Sequence, residues 1–275
     1  MRCSSRTVYK SFYSVLERKE KQHKYPLPES IGIDEHSIKK PKYKSVEYVT
    51  MMVDHSNKRI YDLFMGRDAD SVNSAFKGLL GKENVKSVSI DMSPTYRSVV
   101  RRHFPKATVV ADRFHVHRLF TKLVNKFRKE ITGDDRKNPI RTLVLRNHKD
   151  LKSYEKRAVL RFLNLYPKLR EMYEYKEAVN RLYRTKGAKR ARKAFIKLLD
   201  RMGKSKIERV LKLRATLVNW REEILNYFKC KITNGRVEGF NRRAKLLQRK
   251  AYGYSNFENY RMRLLNETAR KASRR

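Results

Sequence analysis

The sequence predicts a mixed α/β fold, with a sheet built early in the chain and a large all-α insertion before the last helix. Between residues 31 and 127, short apolar runs with strand spacing alternate with patterns of helical period. From about residue 138 to residue 229 the apolar residues keep helical spacing, and a last amphipathic helix follows residue 232. A chain of 275 residues with 40% hydrophobic residues can form one large core that carries an insertion.

Five strands are predicted, at residues 31–33, 47–53, 59–65, 85–90 and 108–111. The first three form a meander, because the tetrapeptide from Asp54 to Asn57 is rich in turn-forming residues. Asp54 is therefore interpreted as a turn former. Helices are predicted at residues 71–80, from the Ser93 cap with Pro94 at the first helical position to Pro105, and after Asp112.

The predicted order is three strands, then helix, strand, helix, strand and helix. This is the order of the RNase H-like fold, a mixed five-stranded sheet flanked by helices, in which carboxylates from the first and fourth strands meet at the sheet centre. Asp34, Asp91 and Asp112 each lie at the end of a predicted strand. A single acid there is a weak signal, because carboxylates also end strands merely to be solvated, so Asp34 gains its weight from the others. Glu35 is expected on the opposite side of the strand and is not predicted as a ligand.

The charge of the chain points to a polyanionic partner. Lys and Arg number 68 against 28 Asp and Glu, giving a formal net charge of +40. Such a charge opposes compaction unless a polyanion neutralises it, so DNA or RNA is the first partner class to consider. A membrane partner is disfavoured, because the basic residues are spread along the chain and no apolar run is long enough to span a bilayer. Two cysteines without a CxxC pair predict a reduced, cytoplasmic protein.

The helical segment contains two apolar stripes, one from Ala188 to Met202 and one on a longer helix from Ile207 to Phe228. It shows no cluster of acids or histidines with catalytic spacing. Its basic residues include Lys186, Lys189, Arg190, Arg192 and Lys193. Each alone is best explained as solvated, and together they predict a DNA-facing surface.

The last helix combines one acid with a basic face. Thr233 or Asn234 can cap it, and Glu238 lies in its first turns with Asn241 and Arg242 at spacings of three and four. Glu238 fits either an intrahelical ion pair or the last ligand of a metal site beside a phosphate track. Beyond the helix, the residues Tyr252, Tyr254 and Phe257 are interpreted as a packed aromatic cluster rather than a stacking platform for bases.

Four segments are expected along the chain. Residues 1–29 hold a short basic helix, either a linker or a remnant of a helix-turn-helix. Residues 30–135 form the first part of the core and residues 136–230 form the insertion. Residues 231–275 form the last part of the core and a basic tail.

Four stretches, taken together, closely resemble the ISL3 family of bacterial insertion-sequence transposases of the DDE type. They are IGIDEHS from residue 31, DLFMGRDADS from residue 62, SVSIDMSPTYRSVVRRHFPKATVVADRFHVHRL from residue 87 and ITNGRVEGFNRRAKLLQRKAYGYSNFENYRMRL from residue 232. Members usually begin with a zinc-binding segment and a helix-turn-helix. We expect this chain to lack most of that region.

The resemblance implies the catalytic acids Asp34, Asp91 and Glu238, with Asp34 bridging two Mg²⁺ or Mn²⁺ ions. It implies supporting roles for Asp112 and His115, which match an Asp-x-x-His signature, and Asn241 is placed with them. DNA-backbone contacts are expected from Arg236, Arg242, Arg243 and Lys245.

The expected reaction is cleavage and transfer of double-stranded DNA, on transposon ends and target, by a homodimer. Two alternatives are an RNase H-like nuclease that does not join strands and a truncated, inactive DNA-binding remnant. All three predict salt-sensitive DNA binding, and the first predicts joining of a cleaved end to a target.

Overall fold

A computed structural model describes residues 4–21, 25–40, 45–133 and 139–272 of the chain. It divides into two compact units, one of Met1–Val110 with Ile232–Arg275 and one of Ala111–Lys231. The expected segment bounds stay predictions, since the start of the insertion at residue 136 and residues 22–24 of the linker lie outside the described residues. Among the helices that are described, none combines the length and apolarity needed to cross a membrane.

The sheet is mixed and five-stranded, as predicted, and its strands are β1 (Ser30–Lys40), β2 (Ser45–Asp54), β3 (Arg59–Met65), β4 (Ser87–Ile90) and β5 (Thr108–Ala111). Their order across the sheet is β3-β2-β1-β4-β5. Strands β1 and β2 pair antiparallel, as do β2 and β3, whereas β1 and β4 pair parallel. The RNase H-like fold class is confirmed.

The α-helices of the described residues, in chain order, are α1 (Ser5–Lys21), α2 (Ala69–Lys77), α3 (Pro94–His103), α4 (Arg113–Thr132), α5 (Ile140–Leu145), α6 (Ser153–Leu165), α7 (Pro167–Leu182), α8 (Ala188–Gly203), α9 (Glu208–Asn219), α10 (Arg221–Cys230), α11 (Gly235–Lys250) and α12 (Phe257–Ala272). The caps of the early helices follow the sequence. Ser93 caps α3 by accepting a hydrogen bond from the Tyr96 amide, and Asp68 caps α2 in the same way.

Strand β1 is longer than the sequence predicted, and this corrects the position of Asp34. The antiparallel ladder with β2 continues from Ile31 to Lys40, so Asp34 lies in the middle of the strand and not at its end. The apolar pattern misses this extension because the later residues of β1 are polar or charged. The parallel pairing with β4, by contrast, extends only to Gly32.

One face of the sheet is covered by the last two helices. Residues Gly32, Asp34, His36 and Ile38 alternate along β1 onto this face. The buried core here joins β1–β3 to α11 and α12 and contains Ile38, Val49, Met51, Val53, Ile60, Leu63, Val237, Phe240, Ala244, Leu247, Tyr254, Tyr260 and Leu264. The N-terminal helix α1 belongs to the same unit, with its Tyr13 and Leu16 packed on Met262 of α12.

The second unit is helical. Helix α4 packs against α7, and α8 packs against α7, α9 and α10. The predicted long helix from Ile207 to Phe228 is wrong, because α9 and α10 are separate helices that meet at Trp220. The Trp220 side chain is 2% exposed, and its backbone leaves the helical region (φ −101, ψ 15) where the chain turns.

Candidate metal centre

Two of the predicted acids lie together at the centre of the sheet. Strands β1 and β4 pair Ser30 with Ser87 and Gly32 with Ser89, and two further residues in this register set Asp34 beside Asp91. Carboxylate oxygens of Asp34 and Asp91 lie within 4.8 Å of each other. The register of a short parallel ladder therefore brings together two acids that are 57 residues apart in the sequence.

The carboxylate of Asp34 is buried and oriented. Asp34 is 9% exposed, and its Oδ2 accepts a hydrogen bond of 3.0 Å from Asn241 Nδ2. Its Oδ1 accepts a bond of 2.8 Å from the Glu35 amide. Asp91 Oδ1 accepts a bond of 3.0 Å from the Ser93 amide, at the start of α3. Two carboxylates held this close repel each other, and a divalent cation would relieve the repulsion.

Tyr96 lies within the electrostatic reach of these acids. Burial raises the pKa of its phenol, and the charges of Glu35, Asp91 and Asp34 raise it further. The hydroxyl shares a hydrogen bond of 2.9 Å with Thr50 Oγ1 and stays neutral. Sequence reasoning missed Tyr96, because the helical spacing of α3 does not indicate which of its residues face Asp34 and Asp91.

Helix α11 runs beside β1, and the asparagines at residues 234 and 241 bond it to the part of the strand around Asp34. Asn241 donates to Asp34, as above. Asn234, which is 2% exposed, donates through Nδ2 to the Ile33 carbonyl at 3.1 Å and accepts from Ser89 Oγ on β4. The sequence suggested Asn234 as a helix cap, but its side chain makes no capping bond and instead joins α11 to the two strands that carry the acids.

Glu238 lies between these two asparagines on the same side of α11. The spacings from Asn234 to Glu238 and from Glu238 to Asn241 are four and three residues, which share one helical face. In the described residues its carboxylate does not join Asp34 and Asp91 within 4.8 Å, and its Oε1 accepts a bond of 2.8 Å from Arg242. Its position as the third acid of the centre stays a prediction.

A buried polar chain continues from the site along β1. His36 Nε2 and the Tyr260 hydroxyl are 2.6 Å apart, and Gln248 Nε2 donates to that hydroxyl and to the Ser37 carbonyl, both at 3.3 Å. Burial and, to a lesser extent, the charge of Lys245 lower the pKa of His36 to about 4. His36 is therefore neutral near pH 7. The alternation of β1 is the signal that could have placed His36 beside Asp34.

The predicted DNA-contacting residues all lie on α11, in different settings. Arg236 donates to the His55 carbonyl, and Arg242 pairs with Glu238. The Arg243 guanidinium lies 5.6 Å from the centre of the Phe240 ring, and Lys245 is exposed. Their contacts with DNA stay predictions.

Asp112 and His115 belong to the helical unit. Asp112 is 2% exposed and caps α4 by accepting a bond of 3.2 Å from the Phe114 amide. The same oxygen lies 3.2 Å from His115 Nδ1, so the carboxylate fixes the orientation of the imidazole. Their supporting role in the chemistry stays a prediction.

Of the three aromatic residues after α11, two are packed at the core and one is exposed. Tyr254 is buried against Tyr260, and Phe257 packs against the same core, as the cluster interpretation expected. Tyr252 is 92% exposed.

Comparison with known proteins decides the family. The family model for ISL3-type DDE transposases, described as transposase, matches residues 31–264. The chain belongs to this family. It is 24% identical over 241 residues to the transposase for insertion sequence element IS1001 of Bordetella parapertussis. That match covers 84% of this chain and 58% of the relative, so the chain spans little more than half the length of this curated protein.

The matched family model describes transposases of the DDE type, a class of protein that uses a divalent metal. The donor set at the centre of the sheet fits such a metal. Paired carboxylate oxygens are the ligands that Mg²⁺ and Mn²⁺ prefer in proteins.

Proposed function

We propose that this chain carries out divalent-metal-dependent cleavage and transfer of DNA strands in the transposition of an insertion sequence. The observation that carries the proposal is the approach of Asp34 and Asp91 carboxylates to within 4.8 Å on paired parallel strands. Two adjacent carboxylates, one of them buried, are costly unless something compensates their charge, and the DDE type of the matched family supports a divalent metal in that role.

Asp34, Asp91 and Glu238 would hold the metal, for which we propose two Mg²⁺ or Mn²⁺ ions. When bound there, the ions would supply activation of water or a 3′-hydroxyl as the nucleophile and charge stabilisation for the leaving oxygen.

The rest of the chemistry depends on residues that orient these acids. Asn241 holds one oxygen of Asp34 and leaves the other to the Glu35 amide. The Ser93 amide fixes Asp91 in the same way. Asn234 ties the start of α11 to β1 and β4, and Glu238 follows four residues later, at a spacing that shares the helical face of Asn234.

The DNA would run along α11. Between residues 236 and 250 this helix carries the basic residues Arg236, Arg242, Arg243, Lys245, Arg249 and Lys250, with Glu238 as its single acid. Contacts from such residues to phosphates give affinity without sequence preference. We also propose that two copies act together, since two transposon ends must be handled in one reaction.

The test is strand transfer with precleaved transposon ends and Mg²⁺ or Mn²⁺, comparing wild type with Asp91→Ala and Glu238→Ala. We expect joined products from wild type and a loss of about a thousandfold or more from either variant, because each would remove charge that acts in the transition state. Glu35→Gln is the matched control. Glu35 neighbours Asp34 but pairs with Arg67 at 3.0 Å, so this variant should keep its activity.

Each alternative has its own outcome. Metal-dependent nicking without joined products would favour a nuclease. DNA binding without either reaction would favour an inactive remnant. Equal activity in wild type and both acid variants would refute the assigned site.

A further inference from the structure

The end of α7, the turn after it and helix α8 together carry the densest run of basic residues in the helical unit. Between Glu177 and Asp200 the sequence has no acid and eight basic residues. We call them the α8 patch: Arg181, Arg184, Lys186, Lys189, Arg190, Arg192, Lys193 and Lys197. The side chains of all eight are exposed.

Among the described residues, no member of the α8 patch pairs with an acid, and no acid interrupts the run between Glu177 and Asp200. Elsewhere in the unit, Arg146 pairs with Glu155 at 3.0 Å and Arg209 with Glu130 at 2.6 Å. Even Arg201, later on α8, pairs with Glu174 at 3.3 Å. Solvated basic residues on an ordinary protein surface usually lie among acids, so a surface without them is available to an external anion.

The patch is ordered along the helix. The opposite side of α8 is buried through Ala191, Phe195, Leu198, Leu199 and Met202. Arg190, Lys193 and Lys197 follow one another at spacings of three and four residues, so they form one stripe on the outward side. The stripe rises by roughly 10 Å along the axis. B-DNA carries one negative charge per roughly 1.7 Å of its axis, so several phosphates face a stripe of this length.

We propose that the α8 patch binds the phosphate backbone of double-stranded DNA, as a second contact surface besides α11. The inference rests on the proposed function, which supplies DNA as the substrate. It extends that function by assigning DNA binding to the helical unit as well. The contacts are with phosphates, so they add affinity and salt dependence without sequence preference.

The test measures binding of a duplex of arbitrary sequence at several salt concentrations, without divalent metal. The variant is Arg190→Gln, Lys193→Gln and Lys197→Gln together. The matched control is Arg170→Gln, Arg201→Gln and Lys212→Gln, which removes the same charge from residues that already have acidic partners. Circular dichroism and thermal unfolding establish that each variant is folded.

We expect the stripe variant to bind DNA about tenfold or more weakly and to lose roughly two to three units from the slope of log K against log salt, because each phosphate contact contributes about 0.9. The control should retain most of the wild-type slope. An unchanged slope in the stripe variant would overturn the proposal, as would equal losses in stripe and control, which would reflect net charge alone.

Binding to phosphatidylserine vesicles is measured in parallel. A stripe variant that loses vesicle binding and keeps the wild-type DNA slope would overturn the proposal in favour of a membrane surface. Because no metal is present, the failure of strand transfer would leave these results unaffected, and the two proposals fail separately.

Discussion

At the scale of single residues, Asn241 is a side chain of α11 that bonds directly to Asp34. Its amide nitrogen lies 3.0 Å from Asp34 Oδ2, and the residue is 8% exposed. A carboxylate that binds a metal needs a fixed direction for its lone pairs, and groups that bond to such ligands supply that direction. Asn241 therefore acts through Asp34 and is a positioning residue.

Asn241→Leu keeps the number and branching of the heavy atoms in this side chain and removes its donor. We expect the apparent affinity for Mn²⁺ and the rate of strand transfer each to fall about tenfold to a hundredfold, the usual cost of losing a group that orients a metal ligand. The measurements are metal titration by thermal shift and the transfer assay. The control is Gln248→Leu, on the same helix and bonded to Ser37 of the same strand. Equal losses in both variants would show that Asn241 merely helps to attach the helix.

At the scale of elements, the approach of α11 to β1 sets the geometry of the site. A methyl group placed on Gly32 would lie 2.7 Å from His55 Nε2 and 2.8 Å from Val237 Cγ2. Only glycine lets strand and helix come this close. Because Asp34 follows two residues later on the same face, the position of α11 over Gly32 also determines its position over Asp34.

Gly32→Ala should therefore push α11 away from the strand. We expect a loss of about 1–3 kcal/mol in the free energy of unfolding, typical of overpacking, together with weaker metal binding. Urea unfolding and metal titration measure the two effects. Gly78→Ala is the control, since nothing lies within 4 Å of its added methyl and its φ of −83 suits alanine. A stability for Gly32→Ala equal to that of wild type would contradict the close approach.

Features that depend on neighbouring residues could be predicted from the sequence, whereas features that depend on long-range contacts could not. Strand β5 and the capped start of α3 follow from local patterns, which need only neighbouring residues. The length of β1 depends on pairing with β2, and the break at Trp220 depends on burial. Neither can therefore be predicted from the spacing of apolar residues within one segment. The bond from Asn234 to Ile33 joins residues 201 positions apart, a relation that no pattern within one segment encodes.

At the scale of the whole molecule, the charge of +40 acts on stability and on binding in opposite directions. In the free protein, repulsion among the basic residues favours unfolding. The same residues attract DNA. Salt weakens both effects, because the Debye length falls from about 10 Å at 0.1 M to about 3 Å at 1 M.

Raising sodium chloride from about 0.1 M to about 1 M should therefore raise the melting temperature of the free protein while weakening its binding to DNA. Both trends come from the same net positive charge. The Arg190→Gln, Lys193→Gln and Lys197→Gln variant should therefore show a smaller change in melting temperature and in DNA affinity. Differential scanning calorimetry and the binding assay follow the two trends in the same buffers, and sucrose serves as an uncharged control for solvent effects. A melting temperature that stays constant or falls with salt while DNA affinity drops would mean that acidic partners already balance the basic residues of the folded chain. The unpaired state inferred for the α8 patch would then be wrong as well.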